Sequence, residues 1–96
     1  MTHSEILNIL GQYKLVNASK YGIRSMGIFG SCATGLATDS SDVDVVIETQ
    51  YPDPYTLVHI KEELEAIFNK PVDLVRSRAS MNPYLKKRID RDAQYV

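Results

Sequence analysis

An apolar run headed by two carboxylates constrains this chain more than any other feature. Asp42-Val43-Asp44 leads straight into Val45-Val46-Ile47, a segment that reads as a buried strand. Residues two apart on a strand face the same side, so Asp42 and Asp44 point together. Buried carboxylates need a compensating cation, and two like charges side by side repel unless something positive sits between them. Oxygen-only ligands suit Mg²⁺.

The rest of the chain alternates helix and strand around that run. Thr2-His3-Ser4-Glu5 fits a capping box, with Ile6, Leu10 and Tyr13 recurring at helical spacing. Gly22 before Ile23 reads as a left-handed cap, which ends this helix near Tyr21. Residues 25–30 form a short strand with Met26 and Ile28 on one face and Phe29 on the other. Residues 31–37 read as a turn or short helix containing Gly35, and 38–41 as a polar loop. The strand over 42–49 places Val43, Val45 and Ile47 opposite the aspartates. Asp53-Pro54 supplies an N-cap with proline at the first helical position. The helix that follows is expected to bury Leu57, Ile60, Leu64, Ile67 and Phe68. A third strand covers 71–76, and Asn82-Pro83 opens a last helix with Leu85, Ile89 and Ala93 four apart. The fold class is α/β (α+β), a small mixed sheet of three to four strands flanked by helices, with 1–96 as one domain.

The third strand carries Asp73 between Val72 and Leu74. If it lies beside the second, Asp73 shares a face with Asp42 and Asp44, and three carboxylates on neighbouring strands suit a two-Mg²⁺ phosphoryl-transfer site. Gly30-Ser31, at the end of the first strand, adds a phosphate cradle. Glycine lets backbone approach a phosphate closely, and the serine hydroxyl can hydrogen-bond its oxygens. Other motifs fail on spacing. Leu36-Ala37 stands where a P-loop needs Lys-Ser/Thr, and Asp39, Asp42 and Asp44 lack EF-hand spacing. One cysteine and two histidines argue against structural zinc.

The formal net charge of −1 leaves no basic field for a long nucleic acid, so no direct nucleic-acid binding is expected. No run approaches the roughly 18 apolar residues of a membrane span, and no signal-peptide pattern opens the chain. A lone Cys32 fits a reducing, cytoplasmic setting, and it reads as a packed residue rather than a nucleophile. His59 reads as a satisfied structural histidine beside core positions, and His3 as part of a frayed terminus. Most of the six tyrosines read as packing, with Tyr95 suggesting a contact surface. Lys86-Lys87-Arg88 with Arg91 reads as a solvated helix face that could also meet an acidic partner or the phosphates of a ligand.

Gly30-Ser31, ten intervening residues and Asp42-Val43-Asp44 together resemble the signature of the DNA polymerase β-like nucleotidyltransferases. The small size, and the ending from Asn82-Pro83-Tyr84-Leu85 through Arg88-Ile89 to Tyr95-Val96, resemble the minimal nucleotidyltransferase (MNT) antitoxins of HEPN/MNT pairs. That resemblance implies a nucleotidyltransferase core that uses ATP and Mg²⁺ to transfer AMP onto a tyrosine of a partner HEPN ribonuclease toxin, silencing it in a heteromeric complex. It implies that Gly30 and Ser31 hold the triphosphate and that Asp42 and Asp44 bind metal. Asp73 would complete the metal site and help activate the acceptor hydroxyl. One position departs from the family: Thr34 stands where an arginine is often found, which removes a charge-assisted phosphate or partner contact. Arg76 and Arg78, after the third strand, are candidates to replace that charge. Two alternatives stay open, an antitoxin that acts by occlusion with a degenerate site and transfer to a small molecule or an RNA end.

Overall fold

The computed structural model describes residues 2–34, 42–78 and 80–96. Helix α1 spans His3–Tyr21 and carries the full capping box: Glu5 N–H donates to the Thr2 hydroxyl at 3.2 Å, and Thr2 N–H to the Glu5 carboxylate at 3.3 Å. It ends at Gly22, left-handed at φ 66. Strand β1 covers Ile23–Ile28, so it begins and ends two residues before the expected span. Ile23 is already buried at its start, and the chain leaves the sheet at Gly30, where φ is again positive. Helix α2, Ser31–Thr34, is the described part of the expected turn. Gly35, the remainder of that turn and the loop at 38–41 lie outside the described residues, as does the side chain of Cys32.

Strand β2, Val43–Thr49, precedes α3, Pro54–Phe68, which opens on the Asp53 cap and Pro54. Strand β3, Val72–Arg76, precedes α4, Pro83–Asp92, whose Asn82 cap accepts from Tyr84 N–H at 2.9 Å. Strand β4, Gln94–Tyr95, is a two-residue addition. The sheet order is β3-β2-β1-β4, with β1 antiparallel to both β2 and β4, and β2 parallel to β3. Parallel neighbours require a crossover, and α3 provides it.

The strand alternation sorts the core into two layers. Val43, Val45 and Ile47 join Met26, Ile28 and Val72 under α1 and α3, packed on Leu10, Ile60, Leu64 and Phe68. On the other face Val46 and Phe29 meet Ile89 of α4, with Leu85 and Ala93 at the margin. The inward stripe of α3 is Ile60, Leu64 and Phe68, each four residues apart. Ile67 falls about 100° away from Phe68 around the helix and is 49% exposed, contrary to expectation. His59 is exposed as well, so it is not a satisfied core histidine. Tyr13 is buried, but Tyr51, Tyr55, Tyr84 and Tyr95 are all exposed, so packing accounts for fewer tyrosines than expected. Among the described residues no helix is long and apolar enough to cross a membrane.

Candidate active site

The site lies where β1 ends and β2 begins, on the α4 face of the sheet. Phe29 N–H donates to the Asp44 carbonyl at 3.0 Å, which carries the antiparallel pairing one step past Ile28 opposite Val45. The chain then turns at Gly30, whose carbonyl accepts from both Ala33 and Thr34 N–H at 3.1 Å to start α2. Gly30 is required twice over. Its φ of 66 is strained for any other residue, and a Cβ there would collide with the Asp44 carboxylate. Ser31, half-buried, opens α2 immediately beyond this turn.

The parallel register pairs Asp44 with Asp73 directly across β2 and β3. Neighbouring strands stand about 4.8 Å apart, so these carboxylates are side-by-side neighbours on one face. Asp42 precedes β2 and is exposed, as is Asp73, while Asp44 is half-buried. Burial pushes the Asp44 carboxyl above the usual aspartate range. The charge of Asp73 pushes it the same way, the Arg88 guanidinium pulls it back, and Asp42 adds a weaker push. Both of the other carboxylates named from the sequence therefore act on Asp44.

A fourth charged group joins them from α4. The Arg88 Cζ stands 5.8 Å from the centroid of the Phe29 ring, and its Nη2 is 3.3 Å from where a Gly30 Cβ would sit. The sequence placed Arg88 in a basic cluster without singling it out. A signal was present, because Arg88 adjoins Ile89 and lies three residues after Leu85, at the edge of the stripe that faces the sheet. Two others of the cluster go elsewhere: Arg91 pairs with its neighbour Asp92 at 2.9 Å, and Lys86 lines a hollow at the far end of the sheet.

Arg76 and Arg78 do not replace the charge missing at Thr34. Strand β3 runs parallel to β2 and away from the aspartates, so Arg76 is level with Ile47, three residues or about 10 Å beyond Asp73. Both arginines line a hollow of about 430 Å³ with Arg24, Glu48 and Lys86, and Arg76 Nε donates to the Thr49 hydroxyl at 3.2 Å. Thr34 is exposed, and its hydroxyl donates to the Ser31 carbonyl at 3.4 Å, within its own helix.

Among the described residues no three His, Cys, Asp or Glu side chains converge closely enough to hold a metal ion by themselves. The donors nevertheless fit Mg²⁺. They are hard carboxylate oxygens, they repel one another at Asp44, and two of the three are open to solvent for further oxygen ligands.

The chain belongs to the nucleotidyltransferase domain family, whose model matches residues 10–96. Its sequence relatives carry a narrower name. It is 39% identical over 98 residues to a relative in Methanocaldococcus jannaschii named as a protein adenylyltransferase, covering 99% of this chain and 98% of that protein. It is 33% identical over 97 residues to protein adenylyltransferase MntA of Thermococcus cleftensis, covering 100% of this chain and 97% of that protein. In three dimensions it resembles a chain in the complex of a tri-AMPylated HEPN toxin with an MNT antitoxin from Shewanella oneidensis. The TM-score is 0.67 at 18% identity, over 98% of this chain and 71% of that one, a likeness of fold.

Proposed function

We propose that this chain is an antitoxin-type protein adenylyltransferase that moves AMP from ATP to a tyrosine hydroxyl of a partner HEPN ribonuclease toxin and thereby silences it. The observation that carries this reading is the pairing of Asp44 with Asp73 across parallel strands, beside a Gly30 turn that admits no side chain. Whole-length similarity to proteins named as adenylyltransferases supports the choice of AMP and of a protein acceptor. The resemblance in fold to the Shewanella oneidensis complex supports a HEPN partner.

The acceptor oxygen attacks the α-phosphorus in line, a new P–O bond forms, and the bond to the bridging oxygen breaks as pyrophosphate leaves. Gly30 lets the backbone lie against the phosphates, and the Ser31 hydroxyl donates to a phosphate oxygen. Asp42, Asp44 and Asp73 would hold the Mg²⁺, as two ions on this reading. When bound, Mg²⁺ supplies charge neutralisation at the phosphates and lowers the pKa of the attacking hydroxyl. On this reading Asp73 takes the acceptor's proton, and its exposure beside Asp44 supports that role. Two exposed carboxylates on an open rim suit an acceptor presented by another protein better than a small substrate that needs enclosure.

Incubating the chain with its co-expressed partner and α-labelled ATP is expected to label the partner, and chelating divalent metal is expected to stop it. An Asp42→Ala/Asp44→Ala double variant that labels the partner at the full rate would sink the mechanism. The Thr34 departure favours one other reading, neutralisation by binding alone. That reading is supported if the double variant transfers nothing yet still protects cells at equal expression.

A further inference from the structure

The proposed reaction needs positive charge at the polyphosphate, and the cradle contains none: Phe29-Gly30-Ser31-Cys32-Ala33-Thr34 has no lysine or arginine. Helix α4 brings a cation from the other end of the sequence. Ile89, 3% exposed, anchors α4 against Phe29 and Val46, and Arg88 is its immediate neighbour. That anchor holds the guanidinium 5.8 Å from the Phe29 ring centroid, within the roughly 6 Å over which a ring attracts a cation. Its Nη2 borders the space that a Gly30 Cβ would fill, and so does the Asp44 carboxylate. Guanidinium, glycine turn and carboxylate thus share one small volume.

Arg88 is nevertheless not clamped there. Among the described residues Arg24 pairs with Glu48 and Arg91 with Asp92, whereas the Arg88 guanidinium has neither a hydrogen bond nor an ion pair at contact distance. Five donors in a planar fork, exposed and without a fixed acceptor, match an incoming phosphate.

We propose that Arg88 is a mobile countercharge shared by two ligands, standing against Asp44 when the site is empty and turning to the nucleotide's polyphosphate when the metal–nucleotide complex binds. The inference rests on the nucleotide-binding reading above. Two effects of opposite sign follow from it. A positive charge beside Asp44 competes with a metal ion for the same carboxylate, so metal alone binds more weakly than it would without Arg88. The same charge attracts the polyphosphate, so the nucleotide binds more tightly. A residue that only holds α4 in place would weaken both ligands together or affect neither.

The test uses the full chain and two probes, Mn²⁺ alone followed by electron paramagnetic resonance and a non-hydrolysable ATP analogue with Mg²⁺ followed by calorimetry. Arg88→Gln is expected to bind Mn²⁺ about threefold more tightly and the analogue about tenfold more weakly. Arg88→Lys keeps the charge but not the fork, so its Mn²⁺ affinity stays near that of the parent while analogue affinity falls. Any result for Arg88→Gln in which the two affinities fail to move in opposite directions overturns the proposal. Asp44→Asn separates the two levels of the argument. If it loses metal-dependent analogue binding while Arg88→Gln changes nothing, only the role of Arg88 fails. If it binds metal and analogue like the parent, the carboxylate reading itself fails.

Discussion

Asp44→Asn slows AMP transfer by about a hundred- to a thousandfold and at the same time makes the isolated chain more stable at neutral pH. The two effects share one cause. Asp44 is half-buried, stands level with Asp73 and feels Asp42, so its ionised form is disfavoured in the folded chain. A carboxyl whose folded pKa is raised above its unfolded value stabilises the fold while protonated. That contribution is fully present below the unfolded value and is lost as pH rises through the raised one. At neutral pH the ionised Asp44 therefore works against folding, and asparagine of the same size relieves the repulsion. Thermal midpoints of both chains near pH 7 and near pH 3, bracketing the ordinary aspartate range, check the sign. The gain should appear at the higher pH and shrink at the lower. A variant less stable than the parent at neutral pH would mean that Asp44 is a structural carboxylate rather than a charge held for a ligand.

Gly30→Ala has the second-largest effect, and its signature is the opposite one, activity and stability falling together. A left-handed backbone at a non-glycine residue costs about 1–3 kcal/mol. The added methyl group also meets the Asp44 carboxylate and lies 3.3 Å from the Arg88 guanidinium. Relief requires the strand end or the carboxylate to move, and a displacement of about 1 Å in a reacting group lowers a rate by about a hundredfold. Urea denaturation together with the transfer assay checks both halves. An alanine variant that is stable and active would show that the β1–α2 turn does not set the position of Asp44.

What was legible in the sequence was local chemistry. The Thr2/Glu5 capping box, the Gly22 end of α1 and the Asp53-Pro54 and Asn82-Pro83 helix starts all form as expected, because each depends on a few consecutive residues. Alternation along β2 likewise put Val43, Val45 and Ile47 on one face and Asp44 on the other, since that needs only a period of two. What escaped depends on how distant segments meet. The pairing of Asp73 with Asp44 follows from the sequence only on the condition that β3 lies beside β2, and the crossover through α3 meets that condition. The same crossover aims β3 so that Arg76 and Arg78 end far from the cradle they were expected to serve. Gln94–Tyr95 is too short to show a strand pattern and becomes one only by pairing with Gly27 and Ile28. Arg88 looked like one basic residue among several until α4 docked on Phe29 and Val46 and brought it beside Asp44.

The relation between the Asp44 edge and a protein acceptor is tested most directly by the intact mass of the proposed HEPN toxin partner after incubation with this chain, ATP and Mg²⁺, followed by mapping of the modified residue. An adenylyltransferase that works through Asp44 adds whole AMP units to a tyrosine of the toxin, and the gain disappears with Asp44→Asn. A toxin that keeps its mass while it is neutralised, or one modified equally well by Asp44→Asn, would contradict it.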